Sequence, residues 1–171
     1  MTGPGHSTGP SADVVVPTAD AMRALGRRLA GLLRAGDLVL LIGGLGAGKT
    51  TLVQGIGEGL GVRGPVTSPT FVIARVHPSL TGGPDLVHAD AYRLGSPAEV
   101  DDVDLDETVA SSVTVVEWGG GLAEGLAEDR LEVTIAAAGQ GRDVRITGLG
   151  RRWSALGDSA FLAVPAGLEG L

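Results

Sequence analysis

At 171 residues the chain fits one domain, on the usual scale of about 100–200 residues per domain, and its 43% apolar content is enough to bury a core. The net charge of −7 lacks the basic face that an autonomous nucleic-acid binder needs for phosphate contacts. With no cysteine, the chain excludes disulfides, thiolate zinc sites and a cysteine nucleophile together. Aromatic residues are only 3%, so the core is expected to be aliphatic, and the 29 glycines follow no G-X-Y period and read as turns and close backbone approaches. No basic segment followed by an apolar run opens the chain, and no stretch reaches the about 18 apolar residues of a membrane span. The expectation is a cytoplasmic protein with no membrane attachment.

Residues 1–12 (MTGPGHSTGPSA) read as a disordered leader, residues 13–150 as the folded domain, and 151–171 as a tail with a short helix around Trp153 to Leu156. Val14 to Val16 is a short β-branched run. Thr18 has the character of an N-cap for a helix to about Arg34, with Leu25, Leu29, Leu32 and Leu33 on one face. Leu38 to Ile42 is a continuous apolar run, the mark of a parallel strand buried on both faces. A helix follows from about Lys49 to Leu60, then strands at Phe71 to Val76 and Leu86 to Ala89. Pro97 to about Ala110 reads as a helix carrying the acidic run Asp101 to Glu107, and Val113 to Val116 as another apolar strand. Leu131 to Ala136 and Val144 to Thr147 form a hairpin around Ala138–Arg142. Strands alternating with helices predict an α/β fold with a mostly parallel central sheet, helices on both faces and a C-terminal antiparallel hairpin.

Between the apolar strand and the second helix, Gly43-Gly44-Leu45-Gly46-Ala47-Gly48-Lys49-Thr50 matches G-x-x-x-x-G-K-[ST], the Walker A phosphate loop. Glycines let consecutive backbone N–H groups turn inward around a polyphosphate, and the helix directs its unpaired N–H groups and positive dipole at the same anion. Gly43, Leu45, Gly46, Ala47, Gly48, Lys49, Thr50 and Thr51 are therefore candidate nucleotide contacts. Lys49 would place its charge on the β- and γ-phosphates, and the Thr50 hydroxyl would ligate Mg²⁺. Twelve of the 13 basic residues are arginine, so Lys49 is the sole lysine of the chain. That also leaves no lysine for the N/T-K-x-D motif by which guanine-specific phosphate-loop proteins read their base, and favours ATP over GTP.

Such a site wants a carboxylate at the end of a neighbouring strand, holding Mg²⁺ directly or through water. Glu117, closing Ser112-Val113-Thr114-Val115-Val116, has that position, and Asp90, after Leu86 to Ala89, competes for it. One acid would ligate metal and the other orient the attacking water or sense the γ-phosphate. His88 reads as a structural hydrogen-bonding histidine, and Asp101 to Glu107 as a solvated acidic face, because no glutamate closes a calcium loop at its twelfth position.

Gly43–Thr51 (GGLGAGKTT), Ser68-Pro69-Thr70-Phe71, His88-Ala89-Asp90-Ala91-Tyr92-Arg93-Leu94 and Glu117-Trp118 occur in this order and at these spacings. Together they resemble the TsaE (YjeE) family, the bacterial phosphate-loop ATPases of threonylcarbamoyladenosine tRNA modification, over roughly Pro17 to Thr147. The resemblance implies a P-loop NTPase fold and an ATPase that is slow alone and activated by two partners, TsaB and TsaD. TsaD transfers the threonylcarbamoyl group to the adenosine beside the anticodon, so tRNA would be met through the complex. By motif position, the resemblance implies Thr50 and Glu117 as Mg²⁺ ligands, with Lys49 and Asp90 as catalytic residues. It also implies Thr70 in a switch-like loop, Trp118 beside the site, and Pro17, Thr18 and Arg142 near the base of the nucleotide. The chain departs from the family at Gly44, where members commonly carry Asp or Glu. A small-molecule or nucleotide kinase of the same superfamily is the alternative reading, although no arginine-rich lid insertion is visible.

Overall fold

The structure, a computed structural model, describes residues 8–44, 48–66, 74–90, 110–118 and 129–156. The apolar run predicted to be a buried strand is β2 (Leu38–Ile42), and it lies near the middle of a seven-stranded sheet. Its neighbours are β5 (Ser112–Trp118) and β6 (Arg130–Ala138), both parallel to it. Beyond β5 come β4 (Asp85–Asp90), parallel, and β3 (Ala74–His77), antiparallel, at one edge. Beyond β6 come β7 (Gly141–Leu149), antiparallel to β6, and β1 (Thr8–Val16), antiparallel to β7, so the order is β1-β7-β6-β2-β5-β4-β3. The four central strands are parallel as expected, and the two edges are antiparallel.

Helices α1 (Ala19–Ala30) and α2 (Lys49–Leu60) cover one face. Leu25, Leu29, Leu52 and Ile56 are fully buried in one cluster with Val39, Leu41, Val115, Leu131 and Val133. The opposite face of the central strands is also closed, with Leu38, Leu40, Val87, Ala89 and Val116 at most 1% exposed, as a parallel sheet requires. The helix expected over 97–110 lies almost wholly outside the described residues.

The two described helices meet backbone to backbone. A Cβ built on Gly55 of α2 would overlap the carbonyl oxygen of Arg23 in α1 and lie 2.9 Å from its carbonyl carbon. A Cβ on Gly26 of α1 would collide with the Leu52 carbonyl oxygen and come within 2.8 Å of the Ile56 nitrogen. An alanine in a helix normally gains about 1 kcal/mol over glycine, but overpacking against a rigid neighbour costs about 1–3 kcal/mol or more. Here the neighbour is backbone and cannot rotate away. Gly55→Ala should therefore lose about 2 kcal/mol in urea unfolding; a variant at least as stable as the parent would mean that the helices are not in backbone contact.

Among the boundaries that differ from the sequence expectation, three bear on how the termini and helices pack. β1 begins at Thr8, inside the segment read as a leader, because residues 8–16 pair with β7 as an edge strand that tolerates Pro10 and interrupts its register between Thr8 and Ser11. α1 ends at Ala30 rather than near Arg34: Leu32 and Leu33 donate to Leu29 and Ala30 in tight turns, so they extend the apolar face without extending the helix. The tail opens with α3 (Arg151–Ser154), which places Trp153 in the core with no exposed surface. The segment from 151 to 156 is thus packed on the domain.

Arg152 holds α3 in place. Its guanidinium donates to both carboxylate oxygens of Asp37 at 3.1 Å and to the Leu32 carbonyl at 2.6 Å, and it sits 4.5 Å from the centre of the Trp153 ring. Asp37 is 5% exposed and also accepts from the Arg34 backbone N–H at 2.8 Å.

Candidate nucleotide-binding site

Parallel pairing brings the carboxyl ends of three strands to one edge of the sheet. Ile42 of β2 lies opposite Trp118 of β5 and Thr134 of β6, and Asp90 of β4 lies opposite Glu117. In a parallel pair, opposed residues share a face, so Glu117 emerges on the same face as Leu41 and Val133, the face that the helices cover. The glycine-rich turn leaves β2 at Gly43 and returns at Gly48 to start α2 at this edge. This is the crevice outside the carboxyl ends of the strands where open α/β sheets take their ligands.

Gly48 is the N-cap of α2 with φ 104° and ψ 13°, a left-handed conformation that only glycine adopts without strain. No side chain caps the helix at Gly48, so none competes with an incoming anion there. Lys49 Nζ donates to the Gly43 carbonyl at 3.0 Å, which holds the ammonium across the mouth of the loop. Lys49, Thr50 and Thr51 are all half-buried on the first turn. At Gly44, a Cβ would meet nothing within 4 Å among the described residues, so the acid that the family resemblance leads one to expect there has room.

Beside the loop is a cavity of about 230 Å³ lined by Val16, Pro17, Thr18, Ala19, Met22, Gly48, Thr51, Gln140, Gly141 and Arg142. It is smaller than the about 300–1,000 Å³ of pockets that take a whole ligand, and so suits one end of an elongated molecule. Four elements build it: α2 supplies Gly48 and Thr51, and three others supply the rest. β1 ends at Val16; Thr18 caps α1, accepting from the Ala21 N–H at 3.0 Å; and the β6–β7 turn brings in Gln140 to Arg142. Arg142 donates to the Gly141 carbonyl at 2.8 Å. Pro17, Thr18, Gly48, Thr51 and Arg142, far apart in sequence, are therefore neighbours at one pocket. Gln140 and Met22 also line it and were not singled out by sequence reasoning. No motif marks them, and only the register of the hairpin and the face of α1 bring them in.

Glu117 is 6% exposed, and His88 Nε2 lies 3.5 Å from its Oε2. His88 itself has no exposed surface. His77 on β3 is held below the ordinary histidine range, chiefly by burial, with the nearby Arg75 guanidinium acting in the same direction. A buried carboxylate at a strand end and a helix-start hydroxyl are hard oxygen donors, the set that suits Mg²⁺. Leu45, Gly46, Ala47 and Thr70 lie outside the described residues. Asp90 and Trp118 are placed by their backbone register alone.

The family model for threonylcarbamoyl adenosine biosynthesis protein TsaE matches residues 16–144. A Streptomyces coelicolor protein named tRNA threonylcarbamoyladenosine biosynthesis protein TsaE is 64% identical over 148 residues, covering 83% of this chain and 99% of the relative. Proteins of the same name from Mycobacterium leprae and Bacillus subtilis are 49% and 38% identical, covering 72% and 78% of this chain and 80% and 84% of theirs. The crystal structure of Bacillus subtilis YdiB superposes with a TM-score of 0.70 at 31% identity, covering 89% of this chain and 94% of that one. The matched residues run from the end of β1 to β7 and so contain the glycine-rich loop, both strand-end acids and the pocket-lining turn: the chain belongs to the TsaE family.

Proposed function

We propose that the chain is an Mg²⁺-dependent ATP-binding and hydrolysing subunit. On this reading it supports transfer of a threonylcarbamoyl group to the adenosine beside the anticodon of tRNA and acts with TsaB and TsaD homologues. The observation that carries it is the convergence of a left-handed glycine, Gly48, the neighbouring lysine, a buried strand-end carboxylate and a 230 Å³ pocket at one sheet edge. The loop and α2 N-terminus suit the phosphates, and the adjoining pocket at Pro17, Thr18 and Arg142 suits the base. The names of the relatives supply the pathway.

In this reading, Lys49 binds the β- and γ-phosphates, and Thr50 and Glu117 would hold Mg²⁺, which offsets charge on the transferred phosphoryl group. Asp90, in register with Glu117, orients the attacking water. The work of the protein is positioning and charge complementarity, since phosphoryl transfer needs little covalent chemistry from the enzyme. The acidic net charge leaves tRNA to be handled by the partners.

The test is phosphate release from ATP by the purified chain, alone and with TsaB and TsaD homologues from the same organism. Slow release that rises only with those partners supports the proposal. Partners that neither bind nor stimulate, with phosphate moving instead to a small acceptor, would replace it with the kinase reading. Within the same assay, Glu117→Gln should raise the Mg²⁺ concentration for half-maximal nucleotide binding by at least about tenfold. An unchanged metal titration would remove Glu117 as a ligand.

A further inference from the structure

His88 is a buried polar side chain that the reaction as described does not use. Among the described residues neither of its ring nitrogens has a hydrogen-bond partner, an arrangement that buried polar groups rarely show. A side chain whose sole task was packing would be better served by leucine at that site, since its β4 neighbours Leu86, Val87 and Ala89 are all buried apolar residues. Glu117 Oε2 lies 3.5 Å from Nε2, just beyond a good hydrogen bond. The approach is built into the sheet. β4 and β5 are parallel with His88 opposite Val115 and Asp90 opposite Glu117, so His88 and Glu117 occupy diagonal positions on one face.

We infer that His88 is a positioning residue for Glu117: its Nε2–H donates to Oε2 and fixes the carboxylate rotamer, leaving Oε1 to face a divalent cation. This rests on the reading of Glu117 as a metal ligand. A small rotation of the glutamate closes the 3.5 Å gap, and such contacts tighten when the site is loaded. The arrangement works with a neutral imidazole in its Nε2–H tautomer. A carboxylate restrained in this way loses less rotamer freedom when metal binds, and outer partners of metal ligands commonly contribute about 10–100-fold in metal affinity.

The experiment compares His88→Gln, His88→Asn and Glu117→Gln, reading the Mg²⁺ dependence of nucleotide binding by calorimetry, with binding in EDTA as the control. Glutamine places its amide N–H near Nε2, whereas asparagine places it near Nδ1. His88→Gln should stay within about threefold of the parent in its Mg²⁺ midpoint, and His88→Asn should shift by about tenfold, both with unchanged metal-free affinity. Equal midpoints for the two variants would overturn the inference. In the parent protein, ¹⁵N spectra should show His88 as the Nε2–H tautomer, with a resonance that moves in Glu117→Gln; an Nδ1–H tautomer would overturn the inference without recourse to any His88 variant. A Glu117→Gln midpoint equal to that of the parent would instead sink the metal-ligand reading itself.

Discussion

Arg152→Ala should destabilise the fold by about 3–5 kcal/mol, the usual cost of removing one partner from a buried ion pair. At about 2–4 °C per kcal/mol for a chain of this size, the midpoint of thermal unfolding should fall by roughly 6–20 °C. The size of the effect follows from what remains. Asp37 is 5% exposed, and without the guanidinium its carboxylate keeps the Arg34 N–H as its partner among the hydrogen bonds described above. The Leu32 carbonyl loses its 2.6 Å donor in the same step. Removing both charges, as in Asp37→Leu with Arg152→Met, should recover most of the loss, because the uncompensated charge is gone. It should not recover all of it, since the Arg34 N–H then loses its acceptor, at about 1 kcal/mol. Arg151, exposed on the same turn, is the control: Arg151→Ala should stay within about 0.5 kcal/mol. If Arg152→Ala behaved like Arg151→Ala, α3 would not be anchored as described.

Lys49→Ala should weaken nucleotide binding by about 10–150-fold, the range expected for one charge-assisted contact of about 1.5–3 kcal/mol. Thermal unfolding without nucleotide should barely move, because the side chain is half-buried and its 3.0 Å contact is to a loop carbonyl, Gly43 O. Lys49→Arg is not expected to rescue, since a planar guanidinium cannot take the place of a compact ammonium at the loop mouth. No other lysine exists to substitute. Parent-like affinity in Lys49→Ala, measured by calorimetry in Mg²⁺, would remove the phosphate-loop assignment.

The parts of this fold that were legible in the sequence are those whose causes are local. β2 was readable because five consecutive apolar residues suit a strand buried on both faces. α2 matched its expected ends, Lys49 and Leu60, because a left-handed glycine stands on either side, at Gly48 and Gly61. The phosphate loop, Glu117 and Asp90 were likewise visible as motif and strand-end acids. What was hidden is non-local. The Asp37–Arg152 pair joins residues 115 apart, and nothing around either one marks it. β1 was read too short because an edge strand receives its order from the partner strand, not from the propensity of Thr8 to Ala12. His88 was read as a structural hydrogen-bonding histidine, whereas neither ring nitrogen has a partner among the described residues, and its nearness to Glu117 depends on the β4–β5 register, which one sequence does not reveal.

The glycine contacts between α1 and α2 have a bearing on how the site can move. Thr18 at the head of α1 borders the pocket, and Gly48 at the head of α2 ends the phosphate loop. Side chains that interleave can slide or change rotamer, but where Gly26 and Gly55 bring main chain against main chain there is no such layer to deform. If the proposed reading holds, the two ends of the site are thus mounted on one stiff frame, like fixed jaws set to a single gauge. On the proposed reading, a triphosphate-bound and a diphosphate-bound state would differ outside this helix pair.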